Sequence, residues 1–96
     1  MAGNIYGSRS FGPTVATALN SSTAVLVAAI RPNRYEVLVQ NADTAITFYV
    51  GPTDAVTSST GIPLRAGESV MLRTFAALYA ISASGTPSAT VTEFYS

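Results

Sequence analysis

Cysteine, histidine, lysine and tryptophan are all missing from these 96 residues, and only 10% of the side chains are charged, where roughly 25% is usual in a soluble domain. Without histidine or cysteine there is no ordinary zinc, copper or haem ligand set, no disulfide framework and no Cys or His nucleophile–base pair. A serine nucleophile lacks an obvious base for the same reason. Five arginines balance five acidic residues, and they form no basic cluster. A nucleic-acid partner, whose phosphates demand a basic face, is therefore not expected. The longest apolar run, Ala24 to Ile30, has seven residues, against the roughly 20 that a membrane helix needs, so no membrane span is expected. The start, Met1 to Gly7, has neither a positive n-region nor an apolar h-region, and a secretory signal is not expected either.

What is present is small and apolar. Hydrophobic residues make up 48% of the chain, and Ala, Ser and Thr supply 38 of its 96 residues. High apolar content at zero net charge is the reverse of a disordered composition. The length suits one domain, but ordering so short a chain costs about 1.5 kcal/mol per residue. With no disulfide or metal to help and few charges to coat the outside, part of the apolar surface is expected to meet another subunit.

Alternation of apolar and polar residues over four to seven positions recurs throughout, whereas helical spacing rarely persists beyond one turn. Residues 1–13, with three glycines and Pro13, read as an irregular arm, leaving 14–96 as the folded domain. Strands are expected at Thr14 to Leu19, Thr23 to Ile30, Tyr35 to Gln40, Thr44 to Val50, Ala55 to Thr57, Glu68 to Arg73, Ala77 to Ser82 and Ala89 to Tyr95. Turns are expected at Asn20-Ser21-Ser22, Pro32-Asn33, Asn41-Ala42-Asp43, Gly51-Pro52, Ala66-Gly67 and Gly85-Thr86-Pro87. Val37 and Val39 should face inward with Tyr35, as should Phe48 and Val50 with Ile46, and Val70 with Leu72. Ser58 to Gly61 reads as a loop that returns to the core through Ile62 and Leu64. A helix over Phe75 to Ile81 has Ala-rich support, but the Tyr79–Ile81 alternation favours a strand. Seven or eight short antiparallel strands near ten-residue spacing predict an all-β domain, a β-sandwich or jelly roll.

Candidate chemistry is sparse. Glycosidase chemistry needs two carboxyls across a cleft, and Glu36, Asp43, Asp54, Glu68 and Glu93 are the only acids. Asp43 and Asp54 sit in turns, where Asp caps its own backbone. Asn41 and Asp43 offer two oxygens of the kind calcium uses, but Asx-turn bonding accounts for both. No catalytic, metal or cofactor site is assigned, and none of the residues points to an enzyme. The better candidates are contacts. Solvated charge is the default for each arginine, yet an arginine-only basic set leans towards interfaces, where the planar guanidinium is enriched. Arg31 and Arg34 flank one turn. In the arm, Ile5, Tyr6, Arg9 and Phe11 could anchor in pockets of a neighbour, as interface hot spots do, and Tyr95 raises the same question at the other end.

Taken in order, Pro32-Asn33-Arg34, Val37-Leu38-Val39-Gln40-Asn41, Phe48-Tyr49-Val50-Gly51, Ser59-Thr60-Gly61-Ile62-Pro63-Leu64, Ala66-Gly67-Glu68-Ser69, Leu78-Tyr79-Ala80-Ile81-Ser82 and Val91-Thr92-Glu93-Phe94 form a familiar set. It resembles the small β-sandwich virion proteins of tailed bacteriophages, which include capsid decoration (cement) proteins and related tail or fibre modules. The resemblance covers residues 23–95. The family's pattern often has Asn before the Pro, where this chain has Arg31, and the arm lies outside it. The resemblance implies a structural protein without chemistry of its own, placed on the outer surface of the capsid as a homotrimer and bridging major capsid subunits. A receptor- or glycan-binding module of a tail fibre, stacking sugars on Tyr35, Tyr49 and Tyr79, and a head–tail joining component are the alternatives.

Overall fold

A computed structural model describes residues 10–95 of the chain. Its strands, in chain order, are Ser10–Phe11 (β1), Val15–Ala18 (β2), Val25–Ala28 (β3), Arg34–Asn41 (β4) and Phe48–Gly51 (β5). Ile62–Leu64 (β6), Ser69–Leu72 (β7), Leu78–Ser82 (β8) and Ser88–Tyr95 (β9) follow. No helix occurs among the described residues. Every pairing is antiparallel.

The two longest strands, β4 and β9, lie side by side at the centre of one sheet. Alternation decides which way they face. Val37 and Val39 of β4 and Ala89 and Val91 of β9 are buried, and Val39 stands opposite Val91. Outside β4 lies β7, while the far side of β9 carries β1 and β2 end to end. The second sheet has the order β3-β8-β5-β6. Its inward residues, among them Val27, Phe48, Val50, Leu64, Leu78 and Ala80, meet those of the first sheet in a single core. From β2 onward the two sheets read 2-9-4-7 and 3-8-5-6. That interleaving is the strand order of a jelly roll, two Greek keys wrapped together. The expected all-β sandwich is therefore the fold, with Val70 and Leu72 packed inward as the alternation required.

Several local expectations change. Residues 55–57 form no strand. Val56 is nevertheless buried, because its side chain drops into a slot left by two glycines on the outer face of the second sheet. A Cβ on Gly51 would lie 2.6 Å from Val56, and one on Gly61 would lie 2.7 Å from it. Residues 44–47 also stay out of the sheet. The Asp43 carboxylate accepts the Ala45 and Ile46 N–H groups, turning the chain before β5. Ile62 to Leu64, expected as loop, pairs with β5 as an edge strand, where Pro63 costs no ladder bond on its free side. Leu64 enters the core as anticipated, but Ile62 stays 43% exposed. Finally, the last residues of the expected arm are part of the first sheet, its residues 1–9 lying outside the described ones. Ser10 and Phe11 pair with Tyr95 and Phe94, and the Gly12 N–H donates to the Glu93 carbonyl.

Candidate functional site: an arginine-stapled end of the sandwich

Along β9 the inward positions run Ala89, Val91, Glu93 and Tyr95, so the series leaves the core as an acid and a phenol. Glu93 lies opposite Val37, and Tyr95 opposite Arg34. The Arg34 side chain is fully buried there. Its Nη1 donates to Glu93 Oε2 at 2.6 Å and to the Ala29 carbonyl at 2.9 Å. Its Nε donates to the Thr74 carbonyl at 2.9 Å, and its Nη2 to the Ala76 carbonyl.

Ala29 belongs to the connection from β3 to β4, and Thr74 and Ala76 to that from β7 to β8. Both connections cross from one sheet to the other. One planar, five-donor guanidinium thus staples the two crossovers to β9, geometry that a lysine could not reproduce. A backbone bond from the Arg31 N–H to the Phe75 carbonyl, 3.0 Å long, joins the same two connections. Burying a charge is costly unless it is paired and hydrogen-bonded, and here both conditions hold. No buried side-chain polar atom among the described residues lacks a partner.

Glu93 is the hub. Its Oε1 accepts from Arg31 Nε at 3.3 Å and from the Tyr95 hydroxyl at 3.1 Å. Burial alone would raise this carboxyl, but the hydrogen bonds from Arg34, Tyr95 and Arg31 outweigh it and hold it below the ordinary carboxylate range. The Tyr95 phenol is pushed above its usual value, first by desolvation and then by the hydrogen bond to Glu93 and its charge. A general acid needs the opposite shift and a free oxygen. Here the shift favours the ionised form, and both carboxylate oxygens accept hydrogen bonds. The N–H groups of Ala45 and Ile46 likewise hold Asp43 low, while Asn41 Oδ1 accepts the Asp43 N–H. Both residues thus spend their oxygens on the turn. No group of three acidic side chains capable of holding a metal occurs among the described residues.

The candidate contact residues divide. Ile5, Tyr6 and Arg9 lie outside the described residues. Phe11 is 70% exposed and rests against Phe94, ring centres 5.7 Å apart, on the outer face of the first sheet. Arg31 is half-exposed beside the staple. Tyr95 is half-buried and committed to Glu93. Arg34 is a correction: it is no accessible contact, because the turn at Pro32-Asn33 starts β4 beneath two loops whose carbonyls need its donors. Distant in sequence, Phe11, Arg31, Arg34 and Tyr95 nevertheless converge on one end of the sandwich.

The proposed tyrosine surface is also corrected. Tyr49 and Tyr79 share the outer face of the second sheet, since Tyr49 pairs with Ile81 and Gly51 with Tyr79. Tyr35 is in the other sheet, at a bulge in the pairing of β4 with β9, with Arg73 stacked 5.1 Å from its ring centre. Hollows open among the described residues as well. One of about 260 Å³, mainly apolar, opens between Val50, Ile62, Leu72 and Leu78. The other, about 280 Å³, is lined by Tyr49 and Ile81 together with Ser21, Thr57 and Ser58.

Glu93 is the residue that reading the sequence missed as a site member, although its position two residues beyond Val91 placed it on the inward face. No family model, curated protein or solved structure matches the chain.

Proposed function

We propose that this chain is a structural virion protein of a tailed bacteriophage, decorating the outer surface of the capsid as a homo-oligomer and bridging major capsid subunits. The ordered motif set carries the reading. Three features of the fold support it. The jelly roll is an architecture that capsid proteins use widely. The acid best placed for chemistry, Glu93, is tied up in holding the sandwich end closed. The stapled end also brings Phe11, Arg31 and Tyr95, three of the candidate contact residues, close together. Internal DNA pressure strains the seams between capsid subunits, and a clamp that buries area across a seam raises the cost of opening it. Repetition over many equivalent positions turns a modest contact into firm attachment.

Quantitative mass spectrometry of purified particles tests the reading. Hundreds of copies per particle are expected, and a fixed handful at the tail or one vertex would refute it. The hollow beside Tyr49, whose lining combines that ring with serine and threonine residues, favours a second reading, a glycan-binding module of a tail fibre. That reading expects the isolated domain to bind on a glycan array and Tyr49→Ala to abolish the signal.

A further inference from the structure

Charge is unevenly distributed over the sandwich. From Ser10 to Ile30, 21 consecutive residues, there is no ionisable side chain. This stretch contains β1, β2 and β3, which are the outermost strands on one side of the molecule. In the first sheet β1 and β2 flank β9, in the second β3 flanks β8, and β3 also packs against β9. Four of the seven large apolar side chains exposed among the described residues, Phe11, Val15, Leu26 and Ile30, lie in it.

Unpaired strand edges offer free N–H and C=O groups to any other strand, and proteins normally blunt them with charge, proline or a cover. The opposite side of this sandwich follows that practice. Its edge strand β6 contains Pro63, and its edge strand β7 lies between Glu68 and Arg73. On the β2/β3 side Pro13 interrupts the chain between β1 and β2, but among the described residues no charge guards β2 or β3. Val15 stands opposite Val91, whose side chain points into the core, so it faces the open seam between the sheets while remaining 55% exposed.

We infer that the β2/β3 side is the contact between copies of this chain, with the unguarded strand edges, Val15 in the seam between them and Leu26 on the outer flank of β3 closed off by a neighbouring subunit. A second copy is the occupant that fits. What covers this side must itself present an uncharged strand edge with apolar flanks, and the chain presents such an edge. An occupant recognised by charge would find no charged partner among the described residues of β1, β2 and β3. The inference deepens the homo-oligomer part of the proposed function, and it leaves the other faces of the sandwich for the shell.

Sedimentation velocity of the full chain at micromolar concentration tests it. The unmodified chain is expected to sediment as an oligomer. The double variant Ala16→Lys/Leu26→Lys, changed at two exposed edge positions, is expected to lose the oligomer while keeping the circular dichroism spectrum of the parent. Met71→Lys, at an exposed apolar residue on the guarded side, is expected to keep it. A monomeric parent, or an oligomer that survives the double substitution, would overturn the inference. Should the double variant misfold, cysteines placed at Ala16 and Leu26 in separate chains provide the check, as oxidation must link subunits through them and not through a cysteine at Met71. Binding of emptied capsids is measured separately. An oligomer formed by this side that ignores the shell would sink the decoration reading and leave the interface standing.

Discussion

Arg34 makes four hydrogen bonds to three carbonyls and a carboxylate, all inside the sandwich. Removing one partner of a buried ion pair leaves the other uncompensated, at about 3–5 kcal/mol. Arg34→Ala is therefore expected to lower unfolding free energy by about 3 kcal/mol in urea titrations. Arg34→Lys should recover only part of this, since a point charge cannot reach all four acceptors. Glu93 gives the pH dependence. Its carboxyl is held lower in the fold than in the unfolded chain, so its contribution is present above the ordinary carboxylate value of 4.5 and lost as pH falls through the folded value. Thermal unfolding between pH 7 and pH 3 should show that acid loss, and Glu93→Gln should flatten it while lowering stability at neutral pH. That the glutamate faces inward was legible from its spacing after Val91. That Arg34 follows it inside was not. An arginine beside a Pro-Asn turn reads as solvated until the two crossover loops are seen to converge on it.

At the scale of elements, the strands visible beforehand were those whose inward residues alternate with polar ones. Val37/Val39, Phe48/Val50 and Ala89/Val91 marked β4, β5 and β9 to within a few residues. Where apolar residues are buried by another route, alternation misleads. Val56 suggested a strand but belongs to a loop held down between glycines, and that burial depends on backbone closeness that spacing does not encode. Conversely, Pro63 disguised β6, because an edge strand tolerates proline that a central strand does not. Gly61 is the sensitive position of this unit. A methyl there would also meet the Tyr49 Cβ at 2.8 Å. Gly61→Ala is expected to cost on the order of 1–3 kcal/mol, as overpacking does, whereas Thr60→Ala should cost less; differential scanning calorimetry of both variants checks this.

For the molecule as a whole, the sparse charge noted in the composition is spatially sorted. Arg31, Arg34, Glu36, Arg73 and Glu93 gather towards the stapled end, while the strands of the second sheet carry no acidic or basic residue. Composition foretold an incompletely coated surface; only topology could say that its bare part is one side of the sandwich. Because Ser10 and Phe11 belong to the sheet, a deletion that tests the proposed anchoring role is confined to residues 2–9. That deletion is expected to leave the unfolding midpoint within a degree or two and to weaken attachment to capsids in co-sedimentation. Unchanged full occupancy would show that the segment plays no part.

Cryo-electron microscopy of the particles that the proposed decoration role requires tests the central claim most directly. The account predicts jelly-roll density repeated over the outer face of the head, each copy spanning a seam between capsid subunits, with the β2/β3 sides of neighbouring copies in contact. Density confined to the tail or a single vertex, or virions that lack the chain altogether, would contradict it.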